Sequence, residues 1–254
     1  MGEAAVPRAT STRRSSGAAH ALRDRVTADL ARRILSGAYP EGAAIPVEAD
    51  LVAEFGVSRT VLREAVRTLA AKGLLETRQR AGTLVPAKTS WHLLDPDVLA
   101  WMGRIDPDRE FTFGLVEARA VIEPAAAALA AERSTGRDLA AMEAAFEAMC
   151  AATPGDVEAS IRADLAFHLA ILRASRNPVF ANLGDVVGAA LLSVFRLTTT
   201  ASDNYAATLA VHERVLDAIR LRDSPRARAE MEGLLAVASR DLLRTLREPR
   251  RDGG

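Results

Sequence analysis

Residues 55–76 read FGVSRTVLREAVRTLAAKGLLE. Gly56 interrupts one apolar helical pattern, and Ser58 stands where it can cap the next, in which Val61, Leu62, Val66 and Leu69 fall on one face. Two short helices joined by a tight turn with Gly form a helix-turn-helix, whose second helix enters the DNA major groove N-terminus first. The first turns of that helix carry Ser58, Arg59, Thr60 and Arg63. Arginines at these positions can fork onto guanine O6/N7 or grip phosphate, and the hydroxyls suit phosphate or base edges. Such patterns have low specificity alone, and a solvated Arg-rich helix face explains the same residues equally well.

The flanks complete the motif. Upstream, Leu22, Val26, Leu30 and Ile34 recur every four residues and predict a helix with one buried stripe, ended at Gly37. A turn at residues 39–42 and the pair Ile45-Pro46 lead into a short helix with Glu48 and Asp50 in its first turn, where carboxylates suit the helix dipole. Downstream, Gly73 stops the second helix of the motif. Residues 74–78 and 83–85 then predict two short strands around a turn at Arg80-Ala81-Gly82. The order is helix, helix, turn, helix, two-stranded wing, over residues 21–86. Residues 1–20 are small and basic with no apolar period, and are expected to form a disordered arm. Residues 87–106 read as a linker with one short helix.

Beyond the linker no strand pattern occurs. Helices are expected near 96–103, 107–133, 137–152, 156–175, 178–200, 204–222 and 225–246, with residues 248–254 as a tail. Asp95-Pro96 and Asp106-Pro107 each pair an N-cap with Pro at the first helical position. Pro124 falls inside the second of these helices and should kink it. The fold class is therefore mainly α, a winged helix-turn-helix followed by an all-α bundle.

Composition narrows the function. The chain has 254 residues, 49% apolar and 26% charged. No apolar run reaches the roughly 20 residues of a membrane helix. The Arg-rich start lacks the apolar core of a secretion signal. A single cysteine, Cys150, excludes an internal disulfide and a Cys-cluster metal site and suits a reducing cytoplasm. The formal charge is zero, but residues 1–90 hold 14 Lys/Arg against 9 Asp/Glu, and the remainder 19 against 24. A basic first part suits a polyanionic partner. Aromatics are only 4%, too few for a stacking platform on single strands.

A longer resemblance sharpens this reading. Residues 35–85 resemble the winged-helix domain of the GntR family of bacterial transcription regulators. The resemblance implies binding of double-stranded operator DNA as a homodimer. It places Ser58, Arg59, Thr60 and Arg63 at base- and phosphate-contacting positions, with the wing around Gly82 near the minor groove. Two departures bear on the operator sequence. Many members carry Arg at the position of Ala49, and many carry Gly at that of Arg80.

In the helical part, Asp164 and His168 are four apart and share a helix face, and His212 opens another apolar helix. One carboxylate and two imidazoles suit Zn²⁺, Ni²⁺ or Mn²⁺ with positions left open, while a core His bonded to Asp164 explains the pair without an ion. EARAVIEPAAAALAA at 117–131, DLAFHLAILRASRNP at 164–178 and HERVLDAIRLRDSPRARAEM at 212–231 resemble the FCD domain of the FadR subfamily, an antiparallel helical bundle. The resemblance implies effector binding by this domain, with Asp164, His168 and His212 as metal ligands. A fourth ligand of that subfamily falls on Leu234, which cannot ligate; Glu230, one turn earlier, is a substitute the sequence does not require. The resemblance also implies that Arg119 occupies a position that often meets an effector carboxylate in that subfamily, a role for which a guanidinium fork is suited. Its bland alternative is a surface salt bridge to Glu123. Arg196 is a weaker effector candidate.

Residues 91–101, WHLLDPDVLAW, resemble the linker of members that respond to sugar acids, of the galactonate type. Structurally, its two Trp would pin the linker helix against the bundle. The leading expectation is a cytoplasmic repressor released from DNA by a small carboxylate, a sugar acid by the linker's resemblance. A metal-free carboxylate sensor of another catabolic pathway and an architectural DNA-binding protein are the alternatives. No second carboxylate or nucleophile stands where a general base would serve, so no enzyme is expected.

Overall fold

The computed structural model describes residues 12–80, 82–105, 108–186, 188, 192 and 205–247. The chain divides into two compact units, Met1–Asp106 and Pro107–Gly254.

The first unit holds α1 (Thr12–Leu35), α2 (Glu48–Phe55), α3 (Arg59–Ala71), β1 (Glu76–Arg78), β2 (Gly82–Leu84) and α4 (Pro96–Met102). Val26, Leu30 and Ile34 of the α1 stripe are buried with Leu51, Leu62, Ala65 and Leu69. Gly56 ends α2 in the left-handed region at φ 63°, and the Ser58 hydroxyl accepts the Val61 N–H to cap α3. Those two residues set the turn of the motif. β1 and β2 pair antiparallel with Thr77 opposite Thr83, and Ala44 extends the ladder by one bridge to Leu84.

Two expectations for this unit are corrected. The predicted disordered arm at 1–20 does not hold from residue 12 onward, because α1 begins at Thr12. Arg13, Arg14, Ala18 and Ala19 are good helix formers. Extending an existing helix through such residues avoids the cost of nucleation. Residues 1–11 of that arm, like the tail at 248–254 and the Asp106-Pro107 pair, lie outside the described residues. The second correction concerns the linker. Val98 belongs to the first unit's core, and Trp91, Trp101 and Met102 pack against it. The two Trp therefore pack on the core of the first unit.

Lys72, the C-cap of α3, explains the linker's place. Its amine meets both Asp95 oxygens at 2.7 and 2.8 Å and Asp97 at 2.8 Å, and lies 5.8 Å from the Trp101 ring centre. Its carbonyl accepts the His92 N–H. Asp95 also caps α4. Gly73 follows, with φ 73°, and a Cβ there would lie 2.0 Å from the Ser90 carbonyl oxygen.

The second unit holds α5 (Arg109–Arg133), α6 (Gly136–Ala152), α7 (Val157–Ala174), α8 (helical at 178–186), α9 (Tyr205–Arg220) and α10 (Ser224–Arg247). α5 packs against α7, α9 and α10, and α6 against α7 and α9. Their shared core is Ala-rich on α5 (Ala126, Ala127, Ala130, Ala131), which lets Phe167, Met142, Ile171 and Met231 fill the space between helices. α5 is capped by Asp108 and runs on through Pro124. Gly136, which falls in the gap between the helices expected at 107–133 and 137–152, is instead the first residue of α6 behind a Thr135–Asp138 capping box.

Candidate functional site

The face of α3 expected to meet DNA is exposed. Arg59 and Arg63 side chains are 75% and 70% accessible, and Ser58, Thr60 and Gly82 are exposed too. Glu48, from the first turn of α2, accepts the Arg63 Nε–H at 2.9 Å and stands 3.9 Å from Arg59 Nε. A bond at Nε leaves the two terminal guanidinium nitrogens pointing onward, the pair a guanine edge would use. Glu48 was not singled out as a partner by sequence reasoning, and its first-turn position gave no hint of it. Arg80 in the wing sits at φ 66°, a left-handed backbone conformation that glycine adopts without steric cost.

Inside the second unit, side chains of two helices converge on one carboxylate. Asp164 and His168 project from α7, and His212 from α9. All three are buried. Asp164 Oδ1 lies 3.2 Å from His168 Nε2 and 3.1 Å from His212 Nε2. One ligand atom from each residue falls within 4.8 Å of the others. On its far side, His168 Nδ1 meets Glu123 Oε2 at 2.5 Å. His212 Nδ1 meets the Thr208 carbonyl at 2.7 Å. Phe167 packs edge-on against both rings.

Each imidazole thus faces an oxygen acceptor on both nitrogens. A neutral ring has one N–H to give. With Nδ1–H given to Glu123 and to Thr208, both Nε2 lone pairs point at a carboxylate oxygen. Only positive charge between these atoms makes the contacts favourable, as two further protons or as one divalent ion. The Oδ1–Nε2 separations also suit an ion. Ligands about 2.1 Å from a metal stand roughly 3.0 Å apart in an octahedron and 3.4 Å in a tetrahedron.

The electrostatics agree. Burial would push Asp164 up, but the charges and hydrogen bonds of His212 and His168 hold it well below the usual carboxylate range. Burial would lower His168, yet Glu123 and Asp164 raise it to about 8. Burial likewise opposes ionisation of Glu123, and Arg119 and His168 nevertheless bring it to about 2.

Arg119 is brought to the same place from α5. Its Nε donates to Glu123 Oε1 at 2.6 Å, and Nη2 lies 3.5 Å from both His168 nitrogens. The i,i+4 pairing with Glu123 is present, but it is buried rather than on the surface. Leu234 is 4% exposed and belongs to the apolar core. Glu230 does not take its place, being paired with Arg214 at 2.8 Å and near Arg226 at 3.9 Å. Arg196 lies outside the described residues.

Sequence comparison bears on both units. The family described as "Bacterial regulatory proteins, gntR family" matches residues 22–85, and the FCD domain matches residues 114–237. The galactonate operon transcriptional repressor of Escherichia coli K12 is 36% identical over 220 residues, covering 86% of this chain and 96% of that protein. A putative L-lactate dehydrogenase operon regulatory protein of the same organism is 31% identical over 198 residues, covering 75% of this chain and 74% of its own length. Among solved structures, Lar, which controls the Listeria monocytogenes agr system, aligns with a TM-score of 0.62 at 20% identity, over 88% of this chain and 97% of Lar. That likeness speaks for the fold alone.

Proposed function

Because the chain belongs to the GntR family of bacterial regulators and carries an FCD domain, we propose that it is a homodimeric operator-binding repressor whose FCD domain holds a divalent ion and senses a small 2-hydroxy carboxylate. It is a DNA-binding transcription regulator, and its relatives are regulators rather than enzymes. Among the described residues no helix is long and apolar enough to cross a membrane.

The observation that carries the proposal is the convergence of two imidazole Nε2 atoms on Asp164 Oδ1, with acceptors behind both rings. A bound Zn²⁺, Ni²⁺ or Mn²⁺ supplies the positive charge that ring protons provide in its absence, and adds open positions for ligand oxygens. Asp164, His168 and His212 hold it, and Leu234 contributes no fourth ligand, so more of the shell is left to water or effector. The Arg119 guanidinium offers a fork to an effector carboxylate, in competition with Glu123. Two relatives are named for galactonate and L-lactate dehydrogenase operons, and both compounds carry a hydroxyl beside the carboxylate. That pair of oxygens can occupy two adjacent positions on one ion.

At the other end, Ser58, Arg59, Thr60 and Arg63 read the major groove and the wing at Gly82 lies along the minor groove. Paired readers match a two-fold operator. Release requires that the effector bind better to the dimer conformation that no longer fits the half-sites. A coupling of about 1–3 kcal/mol changes operator affinity roughly 5–150-fold.

The test is a thermal-shift screen of the purified chain against aldonates, lactate and simple carboxylates, before and after chelation. A ligand that binds the native state raises the melting temperature. Stabilisation by a hydroxy acid that chelation abolishes supports ion and effector together. Equal stabilisation after chelation supports a metal-free sensor anchored by Arg119. No shift by any acid rejects the effector class.

A further inference from the structure

Glu123 has a second role that its pairing with Arg119 does not require. Its side chain is buried on α5, and one arginine suffices to balance one buried carboxylate. Arg119 Nε holds Oε1 at 2.6 Å, and its Nη2 reaches Oε2 only at 3.5 Å, whereas Oε2 meets Nδ1 of His168 on α7 at 2.5 Å. His212 is held differently, with its Nδ1 against the Thr208 carbonyl one turn back on its own helix. The two rings therefore share one orientation, Nδ1 outward and Nε2 toward Asp164, but only His168 has an ionic acceptor behind it.

A carboxylate behind an imidazole fixes the tautomer with hydrogen on Nδ1, so the Nε2 lone pair is the one presented. It also pushes electron density through the ring and makes Nε2 a stronger donor than a carbonyl would. Arg119 keeps Glu123 itself from competing as a ligand by occupying its other oxygen. We infer that Glu123 is a positioning residue for the ion, which sets the tautomer, direction and donor strength of His168 through the Nδ1 contact. This inference rests on the metal reading proposed above and adds a residue from outside the ligand set.

The test uses full-length protein stripped by chelation and titrated with Co²⁺, followed by visible absorption and by competition with a chelating dye. Three chains are compared: the parent, Glu123→Gln and Glu123→Ala. The amide oxygen of Gln still accepts from Nδ1–H but lacks the charge, whereas Ala removes the acceptor. Ala is expected to weaken Co²⁺ binding about 10–100-fold, the usual cost of losing such an outer partner, and to shift the ligand-field bands. Gln is expected to recover part of the affinity and most of the band position. A folded Ala variant with parental affinity and bands overturns the inference, as do equal losses in both variants with unshifted bands. If Ala does not fold, Gln decides, and parental affinity and bands in Gln overturn it. A parent that binds no Co²⁺ removes the metal reading and this inference together, whereas a binding parent with unaffected variants removes the inference alone.

Discussion

Arg63 and His168 show how much one residue's neighbours decide. Arg63 is exposed and tethered to Glu48 by its Nε, so removing it costs the fold little. Arg63→Ala is expected to weaken binding to DNA selected by the parent from a random pool by about 1–3 kcal/mol, with no change in melting temperature. Anisotropy at fixed salt checks this, and parental affinity would remove Arg63 from the contact set. His168 is raised from 6.5 to about 8, so its protonated form stabilises the ion-free fold fully below pH 6.5, and that contribution fades as pH passes 8. An ion needs the ring without that proton. The stripped chain should therefore melt lower at pH 8.5 than at 6.5, and the gain in melting temperature from a small excess of Ni²⁺ should be larger at 8.5. A gain that shrinks with pH contradicts the assignment. At this scale Asp164, His168 and His212 were legible, the first two from four-residue spacing and the third through family resemblance. Glu123 was not, because i,i+4 spacing from Arg119 reads as an ordinary helix pair. Its other partner lies 45 residues away and is reached only through packing of α5 on α7.

Several helix boundaries were legible from local caps, whereas the Thr135–Asp138 box and the Asp108 cap were passed over for a neighbouring Gly and an Asp-Pro pair. Ser58, Asp95 and the Gly56 stop all act within four residues of their own helix. The start of α1 was missed because helicity there follows from continuation, which carries no amphipathic signal of its own. Gly73 was read as a stop without its reason, since the Ser90 carbonyl that crowds it arrives from 17 residues downstream. Gly73→Ala combines a left-handed backbone, costing about 1–2 kcal/mol, with a steric collision against backbone. The expected loss is more than 2 kcal/mol by that reckoning. Urea unfolding of the variant checks it, and a midpoint equal to the parent's would show that Ser90 can move aside freely.

For the whole molecule, two units were legible, and the linker's end at residue 106 coincides with their division, but the unit to which the linker belongs was not legible. Asp95-Pro96 announces a helix start but says nothing about which core that helix joins. The answer lies in Val98, wholly buried in the reader's core, and in the Lys72 amine that ties the end of α3 to Asp95 and Asp97. Burying a side chain of this size contributes about 1.5–3 kcal/mol. A fragment of residues 1–103 should unfold cooperatively and at clearly higher urea than a fragment of residues 1–86. Coincident midpoints would show that α4 adds nothing to the reader.

That placement of α4 has a practical reach for anyone building hybrid sensors from such regulators. A chimaera spliced at residue 86, where the sequence first looks like a spacer, would set a foreign helix against α1 and leave Lys72 facing strangers. Splicing after Gly103 keeps the native α4 with the half that reads DNA, so that only the sensing half is exchanged.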